Sequence, residues 1–375
     1  MMYFSTGSEN SPRKIDFTLI VSTLVLVTFG MLMVYSATIY RHELYGISRF
    51  RSLIKELIRI AVGLTAFFIA SGIDPKLYRK HTRLAMYITT GILGLLFLVG
   101  LRNYGAVRWL RFGLLSFQPS ELAKLIIIFY LASELSQEKS ALKNPLKLLK
   151  ILILPFINIL LIALQPNLSS AIILGMIILA TLFFAGVKVM YLLVPSIASI
   201  VLALGLLLAF PRNFRHVQKR LETFVSGEKH YQVKQALIAV AQGGIAGKGI
   251  GKGTQKYLYL PMAENDFIFA VIVEELGLFG AALIILCYII IIFRGIRVST
   301  RHFNANYYYA VLGAGITFMI FFTSAIHIGV NLGLLPPTGQ TLPLISLGGS
   351  SLIVNLFALG TLEFLSEKVE EYERI

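Results

Sequence analysis

The chain alternates long apolar runs with short polar ones, and the first run sets the scale. Phe17 to Ile39 carries no charge across 23 positions. About 20 such residues, as a helix, cross a hydrocarbon core of roughly 30 Å. Ten segments read this way: 17–39, 57–73, 84–101, 121–135, 148–165, 168–186, 189–210, 266–293, 307–333 and 343–366. The fourth and fifth are short, as in a tilted helix or a thin bilayer match. Lipid offers the backbone no hydrogen-bond partner, so each run is expected to be a helix. The predicted fold class is all-α integral membrane: about ten transmembrane helices in one membrane domain, 17–366. One long extracytoplasmic loop, 211–265, joins spans seven and eight, and cytoplasmic tails cover 1–16 and 367–375.

Composition agrees. Apolar types make up 56% and charged types 14%, against about 25% charged in a soluble domain. Arg13, Lys14 and Asp16 precede a first run longer than a signal-peptide core, with no small-residue cleavage site after it, so it reads as a signal anchor. The lone cysteine, Cys287, excludes an intramolecular disulfide and reads as a small apolar core residue. The net charge of +15 comes without any nucleic-acid module. In a membrane protein it points to anionic head groups or a phosphorylated substrate. Basic residues are divided almost evenly between the two sides. The short basic loops 74–83 and 136–150 favour cytoplasmic termini, because long loops such as 211–265 escape the positive-inside bias.

Few residues can carry chemistry. The only aspartates are Asp16, Asp74 and Asp266, and only Asp266 falls at the outer end of a span. Phe267 and Phe269 beside it would lower the local dielectric and raise its basicity; from position alone, a helix N-cap is the favoured reading, and Asp266 can serve as both. Glu274 and Glu275 follow inside the apolar run, where charge needs a partner. Lys124, a lysine in a similarly apolar stretch, is the expected one, making all three structural intramembrane charges. The loop at 105–113 holds the only tryptophan, Trp109, between Arg108 and Arg111. That arrangement suits an interfacial belt, or sugar stacking beside a phosphate clamp. The stretch 243–253 is glycine-rich but lacks the P-loop spacing; it reads as an anion-binding concavity or a re-entrant turn. The prolines and glycines of 333–351 break helices at membrane depth, as around a polar cleft. No zinc-type spacing of His and Cys occurs.

Three segments together carry a resemblance: Gly105 to Lys124 with Gln118-Pro119-Ser120-Glu121, Tyr231 to Gly280 with Asp266-Phe267-Ile268-Phe269-Ala270 and Glu274-Glu275-Leu276-Gly277, and Ile328 to Ser351. They resemble the SEDS family of peptidoglycan glycosyltransferases over nearly the whole chain. Gln235-Ala236-Leu237-Ile238-Ala239, Gln255 to Pro261 and Thr341 to Ser346 are similar to its division-type branch more than to its elongation-type branch. Departures are Glu264-Asn265 before the aspartate, Asn167 after Gln165-Pro166, His327, and Leu347 before Gly348-Gly349. The resemblance implies polymerisation of lipid II, with growing glycan on undecaprenyl pyrophosphate as donor, at the outer face of the cytoplasmic membrane. It implies Asp266 as catalytic base. It also implies substrate contacts among Arg108, Trp109, Arg111, Gln118, Ser120, Glu121, Lys252, Gln255, Lys256, Ser346, Gly348 and Gly349. A divalent cation (Mg or Mn) held by Glu264 and Asp266, a class B penicillin-binding protein transpeptidase and other divisome membrane proteins complete what it implies. A lipid-II flippase is the rival reading, which needs an internal polar path.

Overall fold

The computed structural model describes residues 15–44, 46, 49–99, 101–103, 106–112, 115–165, 167–193, 195–197, 230–257 and 259–372, with single positions 201, 205, 218, 220, 222, 223 and 226. Its elements are α1 (Phe17–Leu44), α2 (Arg49–Gly72), the single turn α3 (Lys76–Arg79), α4 (Thr82–Val99), β1 (Leu101–Asn103), β2 (Ala106–Phe112), β3 (Leu115–Phe117), α5 (Pro119–Gln137), α6 (Pro145–Leu164), α7 (Leu168–Phe184), α8 (Tyr231–Gly243), α9 (Ile268–Ala305), α10 (Tyr307–Asn331) and α11 (Gly349–Tyr372).

This is a multi-pass helical membrane bundle, with two corrections to the expected plan. Among the described residues, five helices are long and apolar enough to cross a membrane: those over Phe17–Ile39, Pro145–Leu164, Ile268–Ala305, Tyr307–Asn331 and Gly349–Val369. Thr82–Leu96 and Leu168–Phe184 are apolar but shorter. The helices that carry two expected spans are diluted by charge: α2 by Lys55 and Glu56 just before 57–73 and Arg59 within it, α5 by Glu121, Lys124 and Glu134. The expected span 189–210 lies largely outside the described residues. The second correction is that 101–117 is not an open loop. It is a small antiparallel sheet in the order β1-β2-β3, with Leu110 opposite Phe117.

Hydrogen bonds define the two ends of the bundle. At one end Asp16, before α1, accepts from Arg294 of α9 at 2.7 Å and from Ser366 of α11 at 2.9 Å. The same end gathers Asp74, bonded by Tyr309 at 2.7 Å, and Ala185, whose carbonyl accepts from Tyr307 at 2.6 Å. The start of α1 and the far part of α11 therefore share a side with both short basic loops. The opposite end holds Asp266, the segment 332–348 and the start of α5.

Two close approaches fix how that opposite end folds. α9 is broken at Gly277, with φ 64° and ψ −157°. A Cβ there would collide with main-chain atoms of Ile245 and Gly247. Only glycine adopts this backbone without strain. Ile268–Leu276 is thus a half-helix that ends inside the protein, and α8 with the glycine-rich loop lies directly on it. At Gly30 of α1 a Cβ would lie 2.7 Å from Ile345 Cα and Leu344 O, so α1 packs against main chain of the 332–348 segment.

Candidate functional site

The site begins with a tight turn. The N–H groups of Asn265 and Asp266 both donate to Met262 O at 3.0 Å, and Met262 has φ 56°. A non-glycine residue in this region signals local constraint. The turn leaves Asp266 half-buried, two residues before the half-helix begins. It is not the helix cap: the N-cap is Phe267, with no side-chain cap bond. Asn331, at the end of α10, supplies a side-chain acceptor to the helix start, at the Ala270 N–H, which also donates to Phe267 O at 3.1 Å. Its Oδ1 accepts from Ala270 N at 3.0 Å, and its Nδ2 donates to Asp266 O at 3.0 Å and His327 O at 2.9 Å.

Asp266 Oδ2 lies 3.6 Å from where a side chain at Gly339 would begin, so the carboxylate looks onto the proline- and glycine-rich segment. Arg220 shares this space. It donates to Pro337 O at 3.0 Å, and burial lowers its pKa while the charge of Asp266 raises it. The motif reading missed Arg220, which sits in the long loop outside every recognisable motif. The signal available was the excess of positive charge on the expected outer side.

The segment around Gly339 is stitched from several helices. Gln340 O meets His327 Nδ1 at 2.7 Å, and Gln340 Nε2 donates to Ser170 at 2.9 Å. Ser346 Oγ accepts from Leu342 N and donates to Asn265 O, both at 2.7 Å, while Leu347 N donates to Glu264 O at 2.9 Å. Ser346, expected to contact substrate, has a hydroxyl engaged in holding the Asp266 turn. Thr341 donates to Ser351 at 3.0 Å, and Ser350 accepts from Gln118 N at 3.0 Å. This polar path links the Asp266 turn to the start of α5. Gly348 and Gly349 line it: a side chain at Gly348 would begin 3.3 Å from Thr341, and one at Gly349 would begin 3.6 Å from Arg59 Nε.

At the start of α5, Glu121 and Lys124 form a buried ion pair at 2.8 Å, one turn apart. Ser120 Oγ is buried beside it with no hydrogen-bond partner. The expected pairing of Lys124 with Glu274 or Glu275 is therefore corrected: the lysine takes the carboxylate one turn away on its own helix. Arg108, Trp109 and Arg111 lie on β2, which ends six residues before Gln118. The sheet thus delivers this triplet to the same end of the bundle.

The two intramembrane glutamates find their partners in the glycine-rich loop. Glu274 accepts from Lys248 Nζ at 2.8 Å, from Thr254 N at 2.7 Å and from Gln255 N at 3.1 Å. Glu275 accepts from Lys256 Nζ at 2.6 Å, from Gly251 N at 2.9 Å and from Ser36 at 2.8 Å. Lys248 N and Gly249 N cap the last carbonyls of the half-helix, those of Glu274 and Glu275, at 3.0 and 2.8 Å. The loop does bind anions, as backbone N–H concavities do, but the anions are the chain's own carboxylates. Lys256, expected at the substrate, is fully buried in this internal pair. Gln255 is also buried, with Oε1 unpartnered, and Lys252 alone of the three is exposed.

Among the described residues no three His, Cys, Asp or Glu side chains come together. Glu264 is 3% exposed whereas Asp266 is half-buried. The two carboxylates expected to hold a divalent cation thus differ in access, Asp266 being the more accessible of the pair.

The model of the FtsW, RodA and SpoVE family, described as cell cycle proteins, matches residues 17–371. The chain belongs to this family. It is 35% identical over 364 residues to a probable peptidoglycan glycosyltransferase FtsW of Coxiella burnetii (strain RSA 493 / Nine Mile phase I), covering 95% of this chain and 97% of that one. It is 33% identical over 361 residues to the stage V sporulation protein E of Bacillus subtilis (strain 168), again covering 95% and 97%. The fold is similar to a chain in a peptidoglycan synthase complex that coordinates polymerization and crosslinking, with TM-score 0.74, 23% identity, and 95% and 98% of the two chains covered.

Proposed function

We propose that the chain is a peptidoglycan glycosyltransferase that polymerises lipid II at the outer face of the cytoplasmic membrane, with Asp266 as general base. The observation that carries this reading is the division of labour at the half-helix. Asn331 bonds the Ala270 N–H of the half-helix from α10, and the half-buried carboxylate of Asp266 stands beside the cleft facing Gly339. In the reaction, the 4-hydroxyl of the acceptor sugar attacks the anomeric carbon of the donor glycan. Asp266 takes the hydroxyl proton as the new C–O bond forms. The bond to undecaprenyl pyrophosphate breaks with inversion, and a β-1,4 link results. A pyrophosphate leaves readily once its charge is screened, so a single base suffices, unlike the two carboxyl groups of a glycosidase. Arg220, beside Asp266, and Lys252, exposed on the glycine-rich loop, are the cations proposed to screen it.

We infer a division-type role, supported by the C. burnetii relative and by the Gln255 to Pro261 and Thr341 to Ser346 stretches; a sporulation protein of nearly equal identity supports a sporulation role as the alternative. The likeness to a synthase-complex chain supports a separate transpeptidase partner, of the class B penicillin-binding type. The residues of the candidate site gather around Asp266 at one end, which favours surface chemistry over lipid flipping. The deciding assay is polymer formation by the purified chain from lipid II alone. Lipid movement without polymer would instead support a transporter.

A further inference from the structure

Opposite the candidate site, at the end that carries the basic loops, an open crevice of about 200 Å³ lies between α4, α5 and α11. Its wall is almost wholly apolar: Tyr78, Thr82 and Ala85 on one side, Ile126, Phe129 and Phe357 on the other, with His81 at the mouth. Tyr78 and Phe129 stack edge-to-face at 6.0 Å, and Phe129 and Phe357 lie 6.4 Å apart, so one connected set of aromatic rings lines the crevice.

The mouth is cationic. Lys80, His81 and Arg83 are exposed, and Arg79 is half-buried. Arg83 is held by Glu134 at 2.6 and 2.7 Å. The nearby Asp74 is engaged by Tyr309. Arg79 rests on the Tyr308 ring at 5.4 Å, with its Nε buried and without an acceptor. The nearby carboxylates are thus committed, while Lys80, His81 and the Arg79 Nε are not matched by an anion.

An open apolar slot beside a basic mouth that no anion among the described residues matches fits one kind of occupant. We propose that this crevice binds an anionic phospholipid, with an acyl chain against Ile126, Phe129 and Phe357 and the phosphate at Arg79, Lys80 and His81. Basic pockets between helices recognise anionic head groups on this principle. A zwitterionic lipid would fill the slot equally but gain little from the mouth, so the site selects by charge. Bound there, the lipid would bridge α4, α5 and α11.

The test uses the full chain in detergent, with phosphatidylglycerol or phosphatidylcholine of the same acyl chains added back. Native mass spectrometry counts retained lipid, and thermal unfolding reports its effect. Phosphatidylglycerol should be retained and should raise the melting temperature more than phosphatidylcholine; soluble glycerol phosphate should do nothing. The exposed variants His81→Glu and Lys80→Glu should each weaken phosphatidylglycerol binding roughly tenfold. Ala85→Trp, which fills the slot, should abolish retention of either lipid. Equal behaviour of the two lipids, an effect of glycerol phosphate alone, or unchanged selectivity in His81→Glu and Lys80→Glu would overturn the assignment. The surface variants keep the test decisive even where Ala85→Trp fails to fold.

Discussion

Asn331 donates from Nδ2 to the main-chain oxygen of Asp266 over 3.0 Å, while its Oδ1 accepts from Ala270 N at the same distance. One side chain from α10 therefore both caps the half-helix and sets the backbone that presents Asp266. Asn331→Ala should remove three hydrogen bonds, two of them buried, and leave the Ala270 N–H with Phe267 O alone, at a cost of about 0.5–1.5 kcal/mol for each bond lost. Polymerisation should fall with it, because the Asp266 turn loses its anchor. Chemical unfolding and lipid II turnover, measured on one preparation, check both.

The glycine-rich loop supports a prediction that separates structure from catalysis. Lys256→Met leaves Glu275 with Ser36 and Gly251 N but no cation, and breaking a buried pair costs about 3–5 kcal/mol. The combined Lys256→Met, Glu275→Gln variant should recover part of that stability. Lys252→Ala, on the exposed neighbour, should leave unfolding unchanged and weaken only substrate handling. A stable Lys256→Met protein with a specific loss of activity would return Lys256 to the substrate.

How much of this was legible in the chain depends on what a residue's neighbours in sequence reveal. Asp266 and the Gln118-Pro119-Ser120-Glu121 start of α5 stand out as motifs, and the structure brings them to one end through Ser346, Thr341 and Ser350. The break at Gly277 falls inside the expected span 266–293, whose apolar run resumes directly after it; only the approach of Ile245 and Gly247 reveals why glycine is there. Lys124 was paired with the wrong glutamate for a related reason. Glu121 opens the expected span 121–135, one turn from Lys124 on the same buried helix, while Glu274 and Glu275 face a loop distant from Lys124 in sequence. Arg220 could not be found from pattern, since its closeness to Asp266 depends on how 211–265 folds back.

Arg220 yields the next prediction. Arg220→Gln should lower turnover by about 10²–10³-fold, the typical range for losing one group that stabilises developing charge. Arg220→Lys should recover part of it, keeping the charge but losing the planar fork that reaches Pro337 O. Thermal unfolding of both should stay near that of the parent chain. A large loss of stability in Arg220→Lys would reassign Arg220 to holding the 332–348 segment.

Orientation is testable apart from chemistry. The end holding Asp16, Asp74 and the basic loops should face the cytoplasm, and residues 211–265 should face outward. A reporter fused near Ser226 should be active only if it works outside; activity of a strictly cytoplasmic reporter there would reverse the arrangement. With this orientation, mild detergent extraction should bring down a class B transpeptidase with the chain.

The central claim rests on the carboxylate of Asp266, and Asp266→Asn tests it most directly. The change is nearly isosteric, and the half-helix keeps its cap because Asn331 supplies it. Only charge and basicity are lost. Purified Asp266→Asn protein, assayed on lipid II in detergent beside Glu264→Gln, should unfold like the parent chain yet polymerise about 10²–10⁴-fold more slowly, the usual worth of a general base. Glu264→Gln, at a buried position, should retain most of its activity. Near-parental polymerisation by Asp266→Asn, with activity lost only when Glu264→Gln is added, would make Glu264 the base. Full activity in the double variant would contradict a carboxylate mechanism at this site altogether.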